Sequence, residues 1–145
     1  MKNVMDSPFK AISILYRKSH IWLNNSCAQY GLTAAQAMVI LIVCDFQSLT
    51  QDEITKRLGL DKSVIAKTVT KLEETGFLVR TTNPKDKRTY DIQPTQRAWD
   101  AYPSLRDQID VCFERMTQDM SQAQRTAFQN LLLLAAETTI EQEDS

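Results

Sequence analysis

The sequence contains little glycine, proline, cysteine or histidine, and each scarcity excludes a class of protein. With 3 glycines and 4 prolines in 145 residues, an all-β sandwich or barrel with a turn every ten residues or so is disfavoured. The longest uninterrupted apolar run, residues 37–44, is far shorter than the roughly 20 residues of a membrane-spanning helix. We therefore expect one helix-rich globular domain over residues 1–145, without membrane association.

Cysteine and histidine are too few for the sites that they usually build. Cys27, Cys44 and Cys112 form no C-x-x-C pair, so neither a disulfide framework nor a structural zinc site is indicated. His20 alone supplies no histidine-rich metal centre. Because a nucleophile–base motif and a glycine-rich phosphate loop are also missing, the sequence predicts no metal, no cofactor and no enzymatic activity.

The N-terminal segment lacks the features of an export signal. Asp6 and Pro8 lie where a signal peptide needs an apolar stretch. This composition predicts a cytoplasmic protein, in which cysteines stay reduced.

Acidic and basic side chains balance over the whole chain but are separated along it. The net charge of -1 argues on its own against a nucleic-acid-binding protein. Residues 54–90, however, hold nine basic and four acidic side chains, whereas residues 91–145 hold four basic and ten acidic ones. Salt screens the distant acids beyond roughly 8 Å, so the basic block is able to bind a polyanion. An ordinary solvated surface is the alternative interpretation.

Capping signals and hydrophobic spacing divide the chain into six helices. Three capping boxes place a hydroxyl residue three positions before a Gln or Glu. They are Thr33 with Gln36, Thr50 with Glu53, and Ser121 with Gln124. Asp61 and Thr95 are single N-cap candidates. The predicted helices cover residues 8–29, 34–46, 51–58, 62–75, a long stretch from about residue 95, and 122–141.

Between the fourth and fifth helices the spacing changes to that of a β-hairpin. Residues 77–82 and 88–92 are the predicted strands, joined by a turn with a basic tip. Because an isolated hairpin is marginal in water, apolar side chains must hold it against the helices. We expect these to be Phe77, Val79, Tyr90 and Ile92.

The helices at the two ends of the chain have more apolar surface than a small helical core covers. This excess predicts a second apolar face, buried between two copies of the chain. The hypothesis is a homodimer joined through residues 8–30 and 95–142.

The order of these elements is that of a winged helix-turn-helix between flanking helices. Residues 31–98 resemble the MarR family of bacterial transcription regulators. The motifs that support the resemblance are Leu32-Thr33-x-x-Gln36, Thr50-Gln51-x-Glu53-Ile54, Leu58-Gly59-Leu60-Asp61-Lys62-Ser63, Leu72-Glu73-Glu74-x-Gly76-Phe77-Leu78 and Asn83-Pro84-x-Asp86-x-Arg88. The implied fold is mainly α with a small β-hairpin wing. It places a DNA-binding lobe at residues 31–93 and dimerisation helices at 8–30 and 95–142.

The resemblance also implies a function: sequence-specific binding to a pseudo-palindromic operator in double-stranded DNA, by a homodimeric repressor that a small-molecule effector releases. The recognition helix would run from Asp61 to Thr75, and Arg88 would enter the minor groove with Asp86 orienting it. The implied DNA-binding residues are Gln51, Lys62, Ser63, Lys67, Thr70, Lys71, Lys85, Asp86, Lys87 and Arg88.

Two segments depart from the family pattern. Residues 94–98 lack the usual Leu and Gly, which predicts a reoriented start of the fifth helix. Ala66-Lys67 stands where many relatives have Thr-Arg. A lysine is a point charge without the planar fork that reads guanine, so we expect affinity to depend more on the DNA backbone.

Family members often respond to small aromatic or phenolic ligands, or to oxidants. The effector-binding candidates are Tyr16, His20, Trp22, Tyr30, Trp99 and Tyr102, with packing as the alternative role for each. The three cysteines lie on apolar faces, which favours inert burial. Two other functions stay open: a winged-helix protein–protein interaction module, and a redox-responsive regulator that acts through cysteine.

Overall fold

The structure is a computed structural model that describes residues 7–143. The outermost parts of the predicted 1–145 domain, residues 1–6 and 144–145, lie outside the described residues. The elements are α1 (Pro8–Cys27), a 3-10 turn (Ala28–Tyr30), α2 (Ala34–Phe46), β1 (Leu49–Thr50), α3 (Gln51–Leu58), α4 (Lys62–Glu74), β2 (Leu78–Thr82), β3 (Tyr90–Pro94), α5 (Gln96–Met116) and α6 (Gln122–Glu143).

Local capping fixes most helix starts where the sequence predicts them. All three capping boxes form: the hydroxyls of Thr33, Thr50 and Ser121 accept backbone N–H bonds of 3.1–3.2 Å, and the reciprocal bonds are 2.9–3.1 Å. Asp61 is the N-cap of α4, but its side chain makes no capping bond, which corrects that prediction. The first helix ends at Cys27, before the predicted boundary, because the chain tightens into the 3-10 turn.

The sheet has three antiparallel strands in the order β1-β3-β2, so the predicted hairpin gains a short third strand. Leu49 pairs with Ile92 and Thr50 with Asp91. The sequence analysis missed β1 because two residues are too few for a periodicity. This strand ties the start of α3 to the hairpin. We call the hairpin, residues 78–94, the wing.

The core lies around α2, as its nearly continuous apolar sequence requires. Val39, Ile40 and Val43 are fully buried. Buried side chains from α3, α4, the wing and α5 pack in the same cluster, among them Ile54, Ile65, Val69, Leu72, Ile92 and Leu105. This cluster therefore packs α3, α4 and the wing against α2.

Of the four residues predicted to anchor the wing, two are buried and two are exposed. Phe77 and Ile92 are buried, but Val79 and Tyr90 are 43% and 48% exposed, and Leu78 is buried in their place. Phe77 lies before the strand begins, so alternation along β2 starts from Leu78 and turns Val79 outward. Tyr90 shares a face with Ile92 but lies at the outer end of β3, where its side chain is half exposed.

The start of α5, where the sequence lacks the Leu and Gly of the family pattern, is fixed by contacts of Thr95 and Arg97. The Thr95 hydroxyl donates to the carbonyls of Gly76 (2.6 Å) and Phe77 (3.1 Å), and the Thr95 N–H donates to Phe77 (3.0 Å). The Arg97 guanidinium lies 4.4 Å from the centre of the Phe77 ring and donates to the Thr75 carbonyl. α5 therefore begins directly on the loop that follows α4.

Apolar side chains are exposed along α1 and α6, which we call the terminal helices. Phe9 and Ile12 on α1 are exposed, and four consecutive leucines of α6, residues 131–134, are 43–63% exposed. Within residues 7–143, no single helix is long and apolar enough to span a membrane. The segment 8–30 and α2 meet that criterion only as a pair bent by 74°.

Candidate nucleic-acid interface

Helix α4 presents one buried and one polar face. Ile65, Val69 and Leu72 are fully buried, because they recur at the spacing of a single helix face. The predicted DNA-contacting residues of this helix all lie on its exposed side. They are Lys62, Ser63, Lys67, Thr70 and Lys71. Cationic and hydroxyl groups on this side are suited to phosphates and base edges.

The turn between α3 and α4 sets the angle of the exposed face. Gly59 ends α3 with φ of 63°, a left-handed conformation that a side chain would strain. Lys62 then lies 3.5 Å from Asp52 of α3, with both side chains well exposed. Because an exposed pair contributes little to stability, Lys62 remains available to an anion.

The wing tip, residues 83–89, is an ordered turn. The Asn83 side-chain oxygen accepts the N–H groups of Lys85 (2.8 Å) and Asp86 (3.2 Å), and its amide donates to Asp91 (2.8 Å). Thr89 closes the turn by donating its N–H to Asp86 (3.1 Å). Lys85 and Lys87 are exposed on this turn, so their charges project from a defined loop.

The Arg88 side chain at the tip is highly exposed and is also oriented. Its guanidinium donates to both carboxylate oxygens of Asp86, at 3.1 and 3.4 Å, and its backbone N–H donates to the same carboxylate at 3.0 Å. These bonds hold the pKa of Asp86 below its ordinary value. The Arg88 side chain is 91% exposed, so the carboxylate aims a guanidinium that solvent surrounds.

The wing and α3 enclose a cavity of about 220 Å³. Gln51, at the first position of α3, and Arg88 both line it, so two predicted residues from distant parts of the sequence meet there. Arg80 and Tyr90 also line the cavity, although the sequence analysis assigned neither of them a site role. In the sequence, Arg80 stands out only as a member of the basic block of residues 54–90. The strand register is what shows that its side chain faces the cavity.

The six effector candidates occupy separate places in the protomer. Ring contacts among them within residues 7–143 join two pairs: Tyr16 with His20 at 4.1 Å, and Trp99 with Tyr102 at 5.7 Å between centroids. Trp22 lies under the Arg115 guanidinium at 4.3 Å, and Tyr30 packs against the core. The Tyr102 hydroxyl donates to Asp45 at the end of α2, which raises the pKa of Tyr102.

All three cysteines are free and buried. Burial raises the pKa of Cys27 and Cys112 and, together with neighbouring Asp45, raises the pKa of Cys44 to about 11. Because the thiolate is the reactive form, these values oppose oxidation by mild oxidants. The part of the chain that the structure describes holds no group of three His, Cys, Asp or Glu residues arranged to bind a metal.

Comparison with known proteins identifies the segment that holds this geometry. Residues 30–89, from the end of the 3-10 turn to the wing tip, match the sequence profile of the MarR family. These residues form a MarR-family domain. The predicted mainly α fold with a winged helix-turn-helix is confirmed. The expectation that the chain is not an enzyme is confirmed as well, because its relatives are named as transcription regulators.

Two such relatives illustrate the extent of the sequence match. The regulator SarZ from Staphylococcus epidermidis is 27% identical over 115 residues, which cover 78% of either chain. The transcriptional repressor MdtR from Bacillus subtilis is 27% identical over 106 residues, which cover 73% of this chain and 61% of MdtR.

A solved structure extends the likeness to the fold outside the MarR-family domain. The structure of a mutant MarR from Escherichia coli complexed with operator DNA has a TM-score of 0.78. The match covers 87% of this chain and 91% of that one at 20% identity. At this identity the likeness extends to the fold alone.

Proposed function

We propose that this MarR-family chain is a cytoplasmic, homodimeric regulator that binds a pseudo-palindromic operator in double-stranded DNA. The observation that carries the proposal is the Arg88–Asp86 pair. The exposed guanidinium donates two bonds to the Asp86 carboxylate, and the Arg88 backbone N–H donates a third. Helix α4 adds exposed cations of its own. An oriented cation next to a polar helix matches a duplex, whose adjacent grooves present phosphates and base edges together.

Helix α4 enters the major groove. Its 13 residues are about 20 Å long, a length that a major groove accommodates. Ser63, Lys67 and Thr70 face the bases and phosphates, while Lys62 and Lys71 bind the backbone. Because Lys67 carries a point charge and no planar fork, phosphate contacts contribute much of the affinity.

The wing enters the adjacent minor groove. Negative potential is strongest where the minor groove is narrow, which draws the Arg88 guanidinium inward. Lys85 and Lys87 bind the flanking phosphates, and Gln51 lies at the phosphate-facing start of α3. These contacts fix the register of the protein on the duplex.

A second copy of the chain covers the terminal helices. Four consecutive leucines on α6 and the exposed apolar residues of α1 leave side chains in water that association of two copies would bury. Two-fold symmetry then places two copies of α4 in successive major grooves, roughly 34 Å apart. A palindromic operator mirrors that symmetry.

The regulator represses, and a small aromatic or phenolic effector releases it. The relative MdtR is a transcriptional repressor by name, which supports the proposed repression. For the proposed release, the Trp99–Tyr102 ring pair of α5 touches α2 through Asp45. A ligand that stacks on this pair and displaces the Tyr102–Asp45 bond shifts the lobe relative to α5 and weakens operator binding. Tyr16, His20, Trp22 and Tyr30 on and after α1 remain further candidates for the same ligand.

Selection of fragments from the source genome tests the proposal. Purified chain, incubated with sheared genomic duplexes, is expected to enrich fragments that share an inverted repeat. Binding to one enriched duplex, followed by fluorescence anisotropy, should weaken steeply as salt rises. No enrichment, together with salt-independent association with acidic proteins, would instead support a protein–protein interaction module.

A further inference from the structure

The guanidinium of Arg80 joins the wing to helix α4. Arg80 is the third residue of β2, and its Nη2 lies 2.7 Å from a carboxylate oxygen of Glu73 on α4. The same guanidinium is 5.4 Å from the centre of the Tyr90 ring on β3, a distance that allows a cation–π contact. One side chain therefore contacts the recognition helix and both strands of the wing.

On β2, this contact is the outermost attachment of the wing to helix α4. Beyond Leu78, β2 has no buried side chain, and Arg80 is its last partly buried residue. On β3 the outermost buried residue is Ile92, which pairs with Arg80 across the ladder. The tip that carries Arg88 thus extends from the strand position that Arg80 fixes.

The Arg80–Glu73 pair is shielded more than an ordinary surface pair. Both side chains are 29% exposed, and the Nε atom of Arg80 is buried without a hydrogen-bond partner. Removing one partner leaves a partly desolvated charge uncompensated, which is costly in a way that loss of an exposed pair is not. The pair therefore favours one wing angle over others.

We propose that Glu73 and Arg80 are positioning residues that set the angle between the wing and the recognition helix. They thereby determine how strongly the protein prefers particular sequence at the minor-groove flanks of its operator. This inference rests on the proposed DNA binding. Arg88 gains from a narrow minor groove only when the wing holds it at the right distance from α4, whereas base readout by α4 does not depend on that distance.

Three variants of the full chain separate this role from simple electrostatics. Glu73→Gln breaks the pair and makes the protein more positive by one charge. Glu74→Gln makes the same charge change at the next residue, which is exposed. The double variant Glu73→Arg with Arg80→Glu reverses the pair without changing net charge. Thermal unfolding of each variant confirms that it is folded.

The probe is a random-sequence duplex library, from which wild type and variants select ligands that are then sequenced. Glu73→Gln is expected to lose its flank preference by about fivefold or more, the lower end of ordinary coupling between sites, while the central half-site preference persists. Glu74→Gln should keep both preferences and bind as tightly or more tightly. The charge reversal should restore flank preference toward wild type.

Each alternative result overturns the proposal. Unchanged flank preference in Glu73→Gln means that the pair does not position the wing. Equal loss at flank and centre, or no recovery in the reversed pair, means that Glu73 acts on stability or on overall charge. If wild type selects no duplex at all, the proposed function fails before the inference is tested, so the two failures are distinguishable.

Discussion

The winged lobe, residues 31–93, and the terminal helices differ in how far their apolar side chains are buried. In the lobe, two capping boxes close, and Ile54, Ile65 and Ile92 are completely or almost completely buried inside one protomer. On α6, residues 131–134 remain largely exposed although the helix is as apolar there as any core segment. The difference teaches that the lobe buries its apolar side chains by its own packing, while the terminal helices leave exposed the apolar side chains that the proposed dimer would bury.

The largest effect should come from charging α6. Leu131→Glu combined with Leu134→Glu places two carboxylates in the surface that the proposed dimer buries, so burial on association would desolvate them. We expect the dimer dissociation constant to rise by more than about 100-fold. Sedimentation equilibrium at micromolar concentration measures it. Gln129→Glu, an exposed change on the same helix, is the control, and an unaltered dimer in the double variant would refute the assignment of this face.

Truncation inside the lobe should be the next largest effect and should not depend on protein concentration. Ile65 of α4 is fully buried, so Ile65→Ala is expected to lower the free energy of unfolding by about 2–5 kcal/mol. The neighbouring Val64 is 40% exposed, and Val64→Ala should change it by less than about 0.5 kcal/mol. Equilibrium urea denaturation at two protein concentrations checks both values. Similar losses in the two variants would contradict the buried-face assignment.

A smaller effect is expected at the start of α3. Thr50→Ala removes the acceptor of the Glu53 N–H bond and should reduce stability by about 1 kcal/mol. Thr50→Ser keeps the hydroxyl and should lose much less. Thermal unfolding of the pair tests the cap, and equal losses would mean that the methyl group of Thr50, not its hydroxyl, supports the helix.

The smallest effect should be the response of the cysteines to oxidants. Because burial raises the pKa of all three thiols, each holds less of the reactive thiolate in the native protein than in the unfolded chain. We expect slow labelling by a thiol reagent in the native state and rapid labelling of three thiols in denaturant, measured by mass shift. Fast native labelling, with loss of DNA binding that Cys→Ser variants lack, would instead establish a redox-responsive regulator.

Local sequence signals predicted the helices of the lobe but not every residue of the candidate site. Capping boxes such as Thr33 with Gln36 act within four residues, so sequence alone locates the helices. Half of the residues predicted to face inward from the wing were wrong. The strand begins at Leu78, and sequence alone does not show at which residue the inward–outward alternation starts before strand pairing sets it. Arg80 was missed for the same reason: its partners Glu73 and Tyr90 lie seven and ten positions away, and only the fold joins them.

The effector candidates show a second limit of sequence. Tyr16 and Trp99 share aromatic chemistry but lie in different ring pairs, and their relation across a dimer depends on a chain-to-chain geometry that no spacing encodes. These six residues therefore stay a prediction, as do the ten DNA-contacting residues.

DNA binding by Arg88 and Lys67 is the central claim, and anisotropy titrations of a genomically selected duplex at several salt concentrations test it most directly. Arg88→Ala should weaken binding by about 1–3 kcal/mol, and Lys67→Ala should lower the salt slope by about one, because each removes a cation from the duplex. Isotherms of both variants that superimpose on wild type at every salt concentration would contradict the account.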